Sequence, residues 1–251
     1  MLNGRKRYST GAATGDVTAI MGVEEPGGRV LVAVTDHDRP GVRYLDDWDA
    51  LGQRLSASGS VEFRDVIVEA GDILGHWREE PYATLSSPVL CFANMYLGIA
   101  EGALDQARRL TLARNGAWPL AQAEHHSRDP FVQRMFGELV ARVAATESFA
   151  DRWNTLLDEL IARGSDVTFA DRAEIEVGIA QVKIISTETA LEVATRIYEA
   201  TGASSTRSDI GLDMYWRNIR THSLHDPVDY KKLEVGANYL TGDVQSITLY
   251  T

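Results

Sequence analysis

One cysteine, Cys91, stands in 251 residues, so the chain can close no internal disulfide, and a reducing cytoplasm is the expected setting. No apolar run approaches the ~20 residues of a membrane span, and no membrane segment is expected. The start, Met1–Arg7, is basic, yet no apolar stretch follows it as one does in a signal peptide, so secretion is not expected either. Positive charge is scarce. Lys and Arg number 25 against 36 Asp and Glu, for a net charge of −11. That argues against general nucleic-acid binding, which needs a basic surface to displace counterions from phosphates. It leaves room only for a local basic patch that binds a small anion. A phosphate-loop pattern, a CxxC pair and an HExxH helix are all missing, as are internal repeats and low-complexity tracts.

What is present is ordinary for a globular protein: 44% hydrophobic and 24% charged residues, in a length that suits one large domain or two smaller ones. Residues 1–80 read as strands, because Gly, Asp and Pro clusters punctuate short apolar runs such as Arg29–Thr35 and Ser60–Val68. Within the second run the alternation from Val61 to Arg64 gives a strand with one buried face. Glu25–Gly28 reads as a hairpin turn and Arg39–Val42 as a turn leaving a strand.

After Pro88 the pattern changes. Val89–Leu112, Phe131–Ile161 and Phe169–Glu199 carry few breakers and place apolar residues three and four apart, the spacing of helices with a buried face. Asp129-Pro130 supplies an N-cap followed by Pro at the first helical position, and Gly164 and Gly202 fall where helices should stop. Asp226-Pro227 reads as a further cap, opening a last helix through about Leu240. The expected fold is α+β. A small β domain over 1–80, a partial barrel or sandwich, precedes an antiparallel four-helix-type bundle over 81–251. The long helices suit a bundle core or a subunit interface, and the second use implies an oligomer. A lone sheet of this size needs both faces covered, so either the fold is unusual or an N-terminal part is missing.

Taken bare, the candidate site residues have plain readings. His222 and His225 stand three apart beside Asp226, a spacing that puts both rings on one helix face, and they read as polar surface around a cap. Two imidazoles and one adjacent carboxylate fall short of a metal set. Arg114 reads as a helix-end arginine that favours the dipole, and Thr201, Ser204 and Ser205 as turn residues. Tyr8, Ser9 and Thr10 read as an exposed strand start. His125-His126 reads as an exposed loop and Cys91 as a small buried apolar residue. In Asp46–Arg54 the acids read as surface and Trp48 as the packing element.

Particular segments add a family. Leu2–Ala12 resembles the β-domain entry of acyl-CoA dehydrogenases, with Tyr8 where relatives often carry Trp. Ser58–Val68 is similar to the strand that ends that domain, Asp46–Arg54 to its Asp-x-Leu-Gly-x-Arg connection, and Tyr198–Ala203 to a turn near the cofactor. Dehydrogenases of this superfamily commonly carry a Glu-containing motif near the end that removes the substrate α-proton. Here Trp216–Pro227 contains no Glu. Thr221-His222-Ser223-Leu224-His225-Asp226-Pro227-Val228-Asp229-Tyr230 resembles instead the reduced-flavin monooxygenases on this fold, in the dibenzothiophene monooxygenase and sulfur-acquisition branch.

That resemblance implies a two-component enzyme that takes reduced FMN from a separate reductase and oxygenates an organosulfur or aromatic compound. It implies His225 at the flavin, where an imidazole can bond the C4a-(hydro)peroxide and move its protons near neutrality, with His222 and Asp226 orienting it. It puts Tyr8, Ser9 and Thr10 by the isoalloxazine ring. It puts Arg114, with Thr201, Ser204 and Ser205, at the flavin phosphate, which an arginine's planar fork grips through paired bonds. A homotetramer or homodimer is implied as well. The alternative enzyme is an FAD-dependent acyl-CoA dehydrogenase. A reading of another class is a truncated remnant that acts only as an oligomerising bundle, since relatives close the pocket with an N-terminal helical domain.

Overall fold

The computed structural model describes residues 1–77, 80–81 and 88–246, and the chain divides into two compact units, Met1–Arg78 and Glu79–Thr251. The first unit holds two three-stranded antiparallel sheets. In one, β1 (Leu2–Lys6) and β4 (Val42–Tyr44) flank β5 (Val61–Val66). In the other, β2 (Val17–Val23) and β6 (Ile73–His76) flank β3 (Val30–Asp36). The expected strands at Arg29–Thr35 and Ser60–Val68 are therefore present, displaced by one residue in the first and trimmed at both ends in the second. The Glu25–Gly28 turn joins β2 to β3, as its Pro-Gly-Gly content requires. Alternation along β5 buries Val61 and Phe63, which pack with Ile20, Ala12 and Val66 into a small core. Gly41 is needed where it stands. A Cβ there would lie 2.2 Å from the Arg64 carbonyl, and its φ is +91°.

The second unit is helical: α1 (Pro88–Ala113), α2 (Pro130–Arg163), α3 (Phe169–Thr201), α4 (Asp213–His222) and α5 (Val228–Thr241). The three long helices fall within two residues of their expected bounds. Asp129 caps α2 by accepting from the Phe131 amide at 2.8 Å, with Pro130 at the first position. Thr168 and Asp171 form a reciprocal capping box on α3. Gly164 and Gly202 end α2 and α3 with φ of 59° and 73°. The Asp226 cap is a correction. The N-cap of α5 is Pro227, no side chain closes it, and Asp226 turns inward instead.

Helix α3 packs against α1, α2, α4 and α5. It is therefore buried around most of its circumference, and small or hydroxyl residues occupy several of its positions. Thr187 and Thr201 return their hydroxyls to carbonyls one turn back, which satisfies them without water. At Gly178 a Cβ would meet the Trp153 ring of α2 at 2.2 Å, so glycine permits the two helices to close on that indole. One core cluster gathers Tyr96, Leu139, Val193, Ile197, Leu212 and Ile219 from four helices; the other gathers Leu90, Trp153, Leu160, Ile175 and Ile179 from three.

Candidate functional site

The buried interior of the helical unit carries an uncommon set of polar groups. Tyr96 of α1 is wholly buried, and its hydroxyl lies 2.8 Å from Nδ1 of His222, the last residue of α4. Lys183 of α3, equally buried, donates to the same hydroxyl at 3.0 Å, and its ammonium stands 4.9 Å from the Tyr96 ring centre and 5.9 Å from that of Phe92. His225 follows His222 by one turn of chain. The two imidazoles lie nearly parallel, 10° apart, with centres at 5.9 Å. Phe92 meets both edge-on, at 4.4 Å from His222 and 5.3 Å from His225. The expectation that His222 and His225 share a face thus holds, although the first ends a helix and the second lies in the following turn. His222 is half-buried and anchored; His225 is exposed.

Burial sets the charge states. It pushes Lys183 down to about 8, against a partial counter-pull from Asp226. It pushes Tyr96 well above the usual phenol range, and Asp226 adds to that rise. Burial also lowers His222 to about 4, assisted by the positive charges of Lys183 and His225. Asp226 faces this group with an Oδ2 that is buried and has no hydrogen-bond partner among the described residues. Behind it, Lys231 of α5 is held between Glu234 at 3.1 Å and Glu176 at 3.5 Å, and Glu176 pairs with Arg172 at 2.6 Å, all four within a few per cent of complete burial. Burial raises the Glu234 carboxyl. It would depress Lys231, but Glu234, Glu176 and Asp226 together outweigh it and raise that group. Sequence reasoning missed Tyr96, Lys183 and Phe92. Only Lys183 leaves a signal, as a single charge inside the apolar run Ile179–Ile185.

A second locus lies at the far end of α1 and α3. A hollow of about 520 Å³ is lined by Arg114, Arg134, His126, Glu199, Gly202 and Ala203 among others. Among the described residues Arg114 makes no ion pair, and its Nη1 would sit 2.8 Å from a Cβ at Gly202, so the glycine lets the guanidinium lie across the turn. Thr201 and Ser205 are buried and bond to each other at 2.6 Å and to backbone carbonyls, so they hold the turn; Ser204 is exposed. His126 corrects the exposed-loop expectation. It is buried, and its Nε2 donates to the Ala200 carbonyl. Cys91 is also a correction, being exposed on α1 rather than buried.

In the β unit, Tyr8, Ser9 and Thr10 follow β1 in a turn rather than in a strand. Tyr8 has a φ of 57°, rare for a residue with a side chain, and its exposed ring meets Trp48 edge-on at 6.4 Å. The Ser9 amide donates to the Gly59 carbonyl, and Ser9 lines a hollow of about 250 Å³ with Tyr44, Trp48 and Gly59. Thr10 joins Ser58 and Ser56 in a run of hydroxyls at 2.9 and 2.7 Å. Trp48 packs as expected, donating to the Gln53 carbonyl. Asp47 is not a free surface acid. It accepts from the Ser60 amide at 2.7 Å and pairs with Arg5 at 3.0 Å, and these contacts hold its carboxyl below the usual range.

Comparison with known proteins finds relatives over nearly the whole chain. The chain is 38% identical to a dibenzothiophene monooxygenase of Mycolicibacterium goodii, over 100% of its own length and 63% of the relative's. It is 34% identical to a probable FMNH2-dependent monooxygenase, SfnC, of Pseudomonas putida, over 94% of this chain and 61% of the relative. The crystal structure of FMN-bound TdsC from Paenibacillus sp. A11-2 superposes with a TM-score of 0.93 at 34% identity, covering 99% of this chain and 66% of that one. The chain thus spans somewhat under two thirds of the length of the relatives it matches. The family described as Acyl-CoA dehydrogenase, C-terminal domain, matches residues 90–230, more than half of the sequence and nearly the whole helical unit, and the chain belongs to that family.

Proposed function

We propose that this chain serves a two-component monooxygenase that uses reduced FMN to oxygenate organosulfur or aromatic compounds. The observation that carries the reading is the exposed His225 imidazole, backed by Phe92 and by a His222 anchored to Tyr96 and Lys183, in a segment that holds no Glu. Relatives named as a dibenzothiophene monooxygenase and as a probable FMNH2-dependent monooxygenase, and a similar structure that holds FMN, support it. Reduced FMN, delivered by a separate reductase, would supply the electrons that activate dioxygen.

The residues present fit such a cofactor. His225 presents ring nitrogens that can give or take a proton. Phe92 gives the imidazoles an apolar wall. Asp226, within electrostatic reach of Lys183, orients the pair. Arg114, with no anionic partner among the described residues, is the phosphate ligand for a flavin held by another copy of the chain, because the length of α1 separates it from His225; the Ser204 hydroxyl lies beside it, and Thr201 and Ser205 fix the turn. Tyr8, Ser9 and Thr10, in the β unit, carry a ring and hydroxyls of the kind an isoalloxazine edge takes. The protein is proposed to work as a homodimer or homotetramer.

The test is an anaerobic titration with reduced FMN followed by admission of oxygen, with His225→Ala alongside. Flavin should bind, and oxygenation of a test sulfide should fall by roughly 10²–10⁴ in the variant, the usual size of a lost proton-transfer group. Absence of flavin binding would sink the enzyme reading for this chain. Tight retention of FAD would point instead to a dehydrogenase.

A further inference from the structure

We propose that Tyr96 and Lys183 are positioning residues that hold His222 as a neutral imidazole protonated on Nε2. The inference deepens the monooxygenase reading and rests on it for its catalytic meaning, but its structural content stands on this helical unit alone. Counting hydrogens fixes the tautomer. An ammonium has donors and no acceptor, so Lys183 must give a hydrogen to the Tyr96 oxygen. Among the described residues the phenol's own hydrogen has one acceptor, Nδ1 of His222, 2.8 Å away, and a buried hydroxyl hydrogen left without an acceptor is costly. A nitrogen that accepts carries no proton, so the remaining proton of a neutral ring sits on Nε2.

The same geometry opposes a second charge. The titratable groups placed against His222 are Tyr96 on α1, Lys183 on α3 and His225 in the turn; Asp226 acts on Tyr96 and Lys183, Arg220 on Tyr96, and Lys231 of α5 on Lys183. Lys183 is the cation joined to it through a single hydroxyl, and the phenol would have to turn its hydrogen away from a protonated Nδ1. Two parallel imidazoles 5.9 Å apart cannot both be charged cheaply, and the buried member of the pair is the one kept neutral. The two positioning residues have separable parts: Tyr96 fixes which nitrogen carries the proton, and Lys183 fixes the ring's charge.

Nitrogen-15 spectra of the flavin-free chain, read through long-range couplings to the imidazole carbon-bound hydrogens, test this directly. At pH 7 the wild-type His222 should show an unprotonated Nδ1 and a protonated Nε2, and should titrate well below the usual imidazole range. In Tyr96→Phe the two nitrogens should move toward the averaged values of a ring exchanging between tautomers. In Lys183→Met the tautomer should survive, while the His222 midpoint rises by about one pH unit or more as the neighbouring cation is lost. A wild-type His222 protonated on Nδ1, or doubly protonated at pH 7, overturns the proposal, and so does a Tyr96→Phe spectrum identical to wild type. Because no flavin is present, a failure to bind FMN sinks the monooxygenase reading without altering these spectra.

Discussion

Lys183 is the residue at which stability and site chemistry pull apart. It is completely buried, donates to a single phenol oxygen, and has its ammonium pushed down to about 8. Between that value and its ordinary 10.5 the folded chain binds fewer protons than the unfolded one, so the Lys183 contribution to stability rises with pH across this window. Below pH 8 the buried charge is a cost. Lys183→Met should therefore stabilise the fold at pH 7 by about 1–2 kcal/mol. Each tenfold loss of proton affinity is worth roughly 1.4 kcal/mol, and the lost hydrogen bond offsets part of the gain. The gain should shrink as pH rises through 8 and vanish near 10.5. Urea melts of both forms at pH 7 and 10 check it. Equal stability at pH 7 would mean that the ammonium carries no penalty where it sits.

The helices show how far local chemistry sets boundaries. Asp129 is almost wholly buried, and its carboxylate meets the Phe131 amide at the start of a 34-residue helix. Asp129→Ala should cost about 0.5–2 kcal/mol, the range for lost N-caps, and shift the urea midpoint without changing the slope. Asp226 resembles Asp129 in sequence, since each precedes a proline, yet only Asp129 caps. The reason is tertiary: the turn after α4 directs Asp226 toward Lys183, Tyr96 and Lys231, and the two ammonium groups make the inward position favourable for a carboxylate. Helix α4 went unannounced because its ten residues are short and no Ser, Thr, Asp or Asn side chain closes its first turn.

Across the whole molecule, a net charge of −11 coexists with apolar side chains left in the open. Phe131 and Val140 on α2 and Tyr230, Leu233 and Leu240 on α5 are exposed, and an apolar hollow of about 440 Å³ opens beside Phe149, Ile184 and Ile185. Such surface on long helices is the kind that subunits cover. Light scattering should give a mass that is a multiple of the single chain, and a monomer across the working concentration range would remove the oligomer from the proposal. Among the described residues no helix is long and apolar enough to cross a membrane.

The amino-acid sequence by itself determined the division into a strand-rich and a helical part, the limits of the three long helices, the Asp129 cap and the helix stops at Gly164 and Gly202, and the resemblance of particular segments added the family. The structural features follow from periodicity, breakers and side-chain-to-backbone bonds that act within a few residues of one another. The residues singled out by resemblance were placed in two separate units, and within the helical unit His222 and His225 did come together. Only the tertiary structure supplied what stands behind them. Tyr96 lies 126 positions from His222 and 87 from Lys183, and nothing local marks a tyrosine on an apolar face as the hydroxyl between an ammonium and an imidazole. The packing of α1, α3 and α4 into one core decides that contact, and burial in that core decides the charge each group carries.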